Sequence, residues 1–287
     1  MKQFTLWMAL ALILLHCPCL AAQDTLLEAD FTQGIPDSFT VTNLGGSVTA
    51  EEGKAVLLSD NQGGAGIKMS RMAAPALTLN ESAVAYFTLT VNRSVGEKEF
   101  GMVADVDTAI FSISEGEMKV AGQSVYTVAE GTEYSIAVGF AEQKTVIAVN
   151  GEIVFSGEIP KVSPGGKVLY FKNLTRTAND TSRMEIGALL ICAGASYAPS
   201  ANVENGGALI PQEGQALEIA FGTPLLCAPS AALEKNGEPQ QTALQWRAGK
   251  LSVTPLTGWE PLQSYRLTLN HLINGAGEAQ TDYQLAF

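Results

Sequence analysis

Histidine is nearly missing from this sequence. There are two in 287 residues, His16 and His271, and His16 belongs to the apolar N-terminal run. Nucleophilic relays of the Ser-His-Asp or Cys-His kind need a histidine as base. His271, set before Leu272 and Ile273, fits a strand end better than that role. Cysteine is scarce too, with four, and a zinc centre, which usually takes several His or Cys ligands, has no set to draw on. No tryptophan stands between Trp7 and Trp246, so most of the chain offers no indole platform for a sugar. Basic charge is short: 17 Lys and Arg stand against 29 Asp and Glu, a net charge of -12. Such a surface repels phosphate backbones and anionic lipid, which excludes nucleic acid as an expected partner. Helical periodicity is missing as well, in any window of about 11 residues beyond the first 22.

What is present begins with MKQFTLWMALALILLHCPCLAA, residues 1–22. Lys2, the apolar run Phe4 to Leu15 and the small pair Ala21-Ala22 make a secretory signal peptide, cut after Ala22. The run is shorter than the ~20 residues of a spanning helix. The mature chain is therefore expected to be secreted or at the cell surface, with no integral membrane segment. Cleavage removes Cys17 and Cys19 and leaves Cys192 and Cys227. In an exported chain these two either pair as a disulfide or stay as buried free thiols acting as small hydrophobes.

The full sequence is 46% hydrophobic, and its mature part reads as short alternating runs divided by Gly, Asn, Asp and Pro. That pattern predicts an all-β fold. Expected strands include Val84–Tyr86, Phe87–Val91, Gly101–Val106, Ala109–Ser114, Ser135–Phe140, Thr145–Val149, Glu152–Ser156, Val168–Asn173 and Met184–Cys192. Ile136, Val138 and Phe140 share one face of their strand, while Val146 and Ala148 lie opposite Ile147 and Val149 on theirs. Asn150-Gly151 supplies the positive φ angles of a tight hairpin, so Thr145–Val149 and Glu152–Ser156 are expected to pair antiparallel. Gly63, Gly64 and Gly66 read as a loop bend, since no Lys-Ser/Thr follows to make a phosphate loop. A small, Pro-containing stretch after Cys192 marks a boundary. Beyond it Leu217, Ile219 and Phe221, and then Tyr265, Leu267 and Leu269, each define one inward face.

Two resemblances follow from particular stretches. LEADFTQGIPDSFTV from Leu27, YSIAVGF from Tyr134, TVIAVNG from Thr145 and RMEIGALLI from Arg183 resemble, in that order, the concanavalin A-like or laminin-G-like jelly roll, over residues 23–194. ALIP from Ala208, LEIAFGTP from Leu217, LSVTP from Leu251, LQSYRLTL from Leu262, LINGAGE from Leu272 and YQLAF from Tyr283 are similar to the bacterial Ig-like domain of the S-layer type, over 195–287. Asn274 and Glu278 stand where that family usually shows Asp and Asn. The resemblances imply a jelly-roll sandwich followed by a smaller Ig-like sandwich, the second acting as a spacer or adhesion module.

Jelly-roll enzymes that cut β-glucans resemble one another in a Glu-x-Asp-x-x-Glu stretch, which this sequence does not contain. The nearest is Asp105-Val106-Asp107, whose carboxylates share a strand face. A solvated strand end accounts for it, and a calcium ligand pair is the next option, because hard oxygen donors suit that ion. No other cofactor is suggested. Tyr86, Tyr126, Tyr134 and Tyr170 sit in alternating runs as core or cross-strand partners, Trp246 is expected in the core, and Trp259 is open between core and surface. Four Asn-x-Ser/Thr triplets start at Asn80, Asn92, Asn173 and Asn179. The expectation is an exported, non-catalytic binding or adhesion protein, its ligand a glycan or cell-wall polymer. The alternatives are a structural spacer contacting envelope proteins, or a glycoside hydrolase or polysaccharide lyase with two carboxylates ~5 to 10 Å apart in a concave cleft.

Overall fold

The computed structural model describes residues 24–69, 83–92, 95–103, 107–141, 144–160, 162, 168–175, 180–194, 199–207, 215–247 and 249–287. Every regular element among them is a β-strand. In chain order these are β1 (Asp24–Ala29), β2 (Phe39–Glu51), β3 (Lys54–Met69), β4 (Ala83–Asn92), β5 (Glu97–Val103), β6 (Asp107–Ser114), β7 (Glu117–Val120), β8 (Gln123–Thr127), β9 (Glu133–Ala141), β10 (Lys144–Val149) and β11 (Glu152–Glu158). There follow β12 (Val168–Leu174), β13 (Thr181–Ile186), β14 (Leu189–Ala193), β15 (Ser200–Ala201), β16 (Leu217–Ala220), β17 (Ser230–Lys235), β18 (Glu238–Gln240), β19 (Thr242–Arg247), β20 (Lys250–Pro255), β21 (Tyr265–Asn270) and β22 (Tyr283–Ala286). The expected signal peptide lies outside the described residues.

Fourteen strands form one antiparallel system that folds over on itself as a jelly roll, ordered β11-β10-β9-β4-β13-β3-β12-β5-β6-β7-β8, with β1 against β14 and β2 along β3. The two longest strands, β2 and β3, were not among those the alternation predicts. Their hairpin turns at Glu52-Gly53, both at positive φ. β3 serves both halves: Ala55–Asp60 pair with β13, and Gly64–Lys68 pair with β12. Between these segments the strand must bend, and Gly63-Gly64 are part of the strand rather than a loop. A Cβ on Gly63 would sit 2.1 Å from the Gly45 carbonyl oxygen, and one on Gly46 would sit 2.3 Å from that of Leu58. Only glycine permits backbones to cross that closely.

The bend is pinned by buried polar groups. Asn173, fully buried on β12, donates from Nδ2 to the carbonyls of Leu57 (2.8 Å) and Ser182 (3.0 Å) and accepts from Ser182 Oγ (2.8 Å). Ser59 Oγ donates to Gly63 O at 2.6 Å, and Thr175 N to the same carbonyl at 3.0 Å. The Asn173 triplet is therefore a core element, not a glycan acceptor. Asn92, which starts another, donates to Glu185, while Asn80 and Asn179 lie outside the described residues.

Alternation builds the core between the two halves. Phe87, Phe100, Phe111 and Phe171 meet there, with ring centroids 4.9 to 5.6 Å apart. Each such ring is worth about 1.5–3 kcal/mol on burial. Tyr134, Ile136, Val138 and Phe140 of β9, with Ile147 and Val149 of β10, join the same core. The Asn150-Gly151 turn has φ of 51° and 83°, and β10 pairs β11 antiparallel with one irregularity between Ile147 and Ala148. The Asn150 side chain also clamps β9, its Oδ1 accepting from Ser135 N at 2.9 Å.

Residues from 200 on form two four-stranded sheets, β15-β16-β20-β19 and β18-β17-β21-β22. Their shared core holds Trp259, Tyr265 and Phe287. Tyr265 and Phe287 stack at 5.7 Å, and Trp259 meets Tyr265 edge-on at 5.0 Å. Trp259 is thus buried, and its Nε1 donates to Gln215 O at 2.8 Å. Trp246 is half-buried at the margin of this core, 6.1 Å from Phe221.

The two parts touch. The outward side chains of the back strands, Val84, Ala137, Val146 and Ala148, form a small apolar cluster with Leu226. Tyr86 Oη donates to Leu225 O at 2.5 Å. A Cβ on Gly139 would lie 2.0 Å from Gly275 O. The loop that presses there is tied by Asn274 and Glu278: Asn274 Oδ1 accepts from the Ala276 and Glu278 amides at 3.0 and 2.9 Å, and its Nδ2 donates to Glu278 Oε2 at 3.1 Å. These are the two positions at which the sequence departs from the Ig-like pattern.

Candidate functional site on the outer face of the front half-sheet

β12, β5, β6 and β7, with the C-terminal half of β3 beside them, form the front half of the jelly roll. Because side chains alternate, the strands that send Phe171, Phe100 and Phe111 inward send their neighbours outward. Register then aligns the outward residues across strands into two rows. One row runs Thr42, Gly66, Lys172, Glu99, Ser112, Lys119. The next runs Tyr170, Gly101, Ala109.

Glycine shapes the centre of this face. The Tyr170 ring lies across Gly101, where a Cβ would sit 2.4 Å from Cζ. Tyr170 Oη donates to Glu99 Oε2 at 3.3 Å, and Lys172 Nζ stands 3.6 Å from the same oxygen. Tyr170 is only 5% exposed. Burial first, and then the negative charges of Glu99, Asp107 and Glu97, push its phenol far above the usual tyrosine range. It is a neutral donor at physiological pH and cannot serve as a base there. Glu99 is held by a phenol and an ammonium, with 14% of its side chain exposed.

Asp107 opens β6 opposite Val103 and is exposed. Asp105, its expected partner as a calcium ligand, lies outside the described residues. Among the described residues no group of three or more His, Cys, Asp or Glu could hold a metal ion. Cys192 and Cys227 are both free and buried, and the disulfide alternative does not form. Burial raises Cys192 to about 11 and raises Cys227 as well. His271 follows β21 as an exposed strand-end residue with φ 65°. Lys172, Glu99 and Ser112 were not singled out from the sequence. The alternation of Phe171-Lys172 and Glu99-Phe100 marks them as outward, but only the pairing of β12, β5 and β6 brings them together.

No protein-family model matches the chain, and no curated protein matches it. Solved structures do. A sialidase superposes with a TM-score of 0.50 at 11% identity, covering 61% of this chain and 19% of its own. The carbohydrate recognition domain of Emp47p gives 0.44 at 12%, covering 60% of this chain and 95% of that one. The catalytic domain of an endo-1,3-β-glucanase (laminarinase) from Thermotoga petrophila RKU-1 gives 0.44 at 10%, covering 60% and 98%. The larger part of this chain has a jelly-roll fold of the concanavalin A-like kind. Likeness at this level of identity shows the fold alone, so the assignment of a role rests on the side chains of this chain. Among the described residues no helix is long and apolar enough to cross a membrane.

Proposed function

We propose that this is an exported, non-catalytic glycan-binding protein whose ligand lies across the outer face of β12, β5 and β6. The observation that carries the reading is the lateral row Lys172, Glu99, Ser112, Lys119. It offers alternating donors and acceptors at the strand spacing of about 4.8 Å, a surface suited to a hydroxyl-rich polymer. The non-catalytic part is supported by the chemistry at its centre. Glu99 is already engaged by Lys172 and Tyr170, and Tyr170 stays protonated. The second part, which resembles a bacterial Ig-like domain, then serves as a spacer that carries the binding face away from its attachment.

The test is retention of the mature chain on immobilised laminarin, alginate and mucin, alongside a Glu99→Gln/Lys172→Ala variant. The variant is expected to fold, because Lys172 is partly exposed and a glutamine at 99 can still accept from Tyr170 Oη. Retention on one polymer, reduced tenfold or more in the variant, is the expected result. No retention on any of them, or retention the variant leaves unchanged, refutes the site. Release of reducing ends or unsaturated products from the retained polymer refutes the non-catalytic reading.

A further inference from the structure

A second concavity lies where the two parts meet, on the opposite side of the jelly roll from the row just described. Its volume is about 550 Å³, within the range of small-molecule sites. We propose that this cleft binds one or two pyranose units of a neutral sugar, independently of the front face.

Three features argue for it. First, the hollow is built in by small side chains. Along the outward face of β9 and β10, Ala137 and Ala148 stand where larger residues would close the space, and Leu226 from the second part walls one side. Second, the rim is polar on the jelly-roll side. Thr88 and Ser135 are register partners on β4 and β9, and Asn150 follows at the hairpin turn. Asn150 spends Oδ1 on Ser135 N, and its Nδ2 has no partner among the described residues. Third, Trp246 of β19 supplies a half-buried indole from the second part.

A cleft lined by an indole and by a row of hydroxyl and amide groups suits a ligand that is itself two-sided. A pyranose has C–H groups on its faces and hydroxyls around its edge, so it can cover the indole while bonding Thr88, Ser135 and Asn150. An aliphatic ligand of the same volume would strip water from those three groups and return no hydrogen bond. The charged side chain in the lining is Glu28, which disfavours an anionic sugar.

The test is isothermal titration calorimetry of the mature chain with cellobiose, maltose, lactose and diacetylchitobiose, and with the neutral 1-octanol as the aliphatic probe. The expected result is saturable binding of at least one disaccharide and none of 1-octanol. Trp246→Leu abolishes it, and Ser135→Ala weakens it about fivefold, the loss of one hydrogen bond. Ala137→Leu, which fills the hollow without touching Trp246, abolishes it too and covers the case in which the tryptophan variant fails to fold. Glu99→Gln/Lys172→Ala retains it, so failure of the front-face reading and failure of this one are told apart. Binding of no disaccharide, binding of 1-octanol in their place, or disaccharide binding that survives Ala137→Leu overturns the proposal.

Discussion

Asn173→Ala is expected to destabilise the jelly roll selectively. The amide is fully buried and makes three hydrogen bonds, to Leu57 O, Ser182 O and Ser182 Oγ. At about 1 kcal/mol net each, their loss removes about 3 kcal/mol. Part of the desolvation penalty of the partners left behind adds to that, bringing the total to about 3–5 kcal/mol. A domain of ordinary stability has about 5–15 kcal/mol to lose. The two tryptophans beyond residue 22, Trp246 and Trp259, both lie in the second part, which allows the two parts to be read separately. In a urea titration, far-ultraviolet circular dichroism should show the jelly-roll transition moving to lower denaturant, while the tryptophan emission transition moves far less. Asn173→Asp should be at least as damaging, because it sets a carboxylate oxygen against the Leu57 and Ser182 carbonyls. Ser182→Ala combined with Asn173→Ala should cost less than the sum of the two, by about 1 kcal/mol. A loss below about 1 kcal/mol for Asn173→Ala would refute the view that this network pins the bend in β3.

Lys98 is buried, with Nζ donating to Val95 O at 2.6 Å, and burial lowers its pKa to about 8. Between that value and the ordinary 10.5 the unfolded chain holds a proton that the folded chain has released, so stability rises with pH across this window. Lys98→Met should therefore raise the melting temperature at pH 7, with the gain shrinking as pH climbs through 8 toward 10; a constant or negative difference contradicts the buried-amine account. Gly139→Ala places a methyl 2.0 Å from Gly275 O. It should cost about 1–3 kcal/mol and detach the 274–278 loop, seen as an increased radius of gyration in solution scattering, and an unchanged radius argues against the docked junction. Cys192 and Cys227, buried and free, should react slowly with Ellman's reagent at pH 8 in the native chain. Both should react in urea without reductant, and neither reacting there would reveal a disulfide.

Local chemistry made part of this fold readable in advance. Asn150-Gly151 carries its hairpin because two adjacent residues must take positive φ, and few pairs do so cheaply. The alternation in β9 sorted Ile136, Val138 and Phe140 onto the core side. Glycine misled where the reason for it was not local. Gly63 and Gly46 are required by backbones that approach from elsewhere in the chain, so a stretch that looked like a loop is the middle of the longest strand. Trp259 gave no local sign of burial, because its surroundings Tyr265 and Phe287 are assembled by β21 and the chain end.

The sequence by itself determined that the chain is built of strands, where many of them turn, and which side chains of a strand lie together, since these depend on backbone preferences and a period of two. Tertiary structure alone decided which strand lies beside which. That choice places Glu99 beside Lys172 at one face and brings Trp246 and Ser135 to the lining of one cleft at another. It depends on long-range pairing among strands of similar composition, and no stretch of a few residues encodes it.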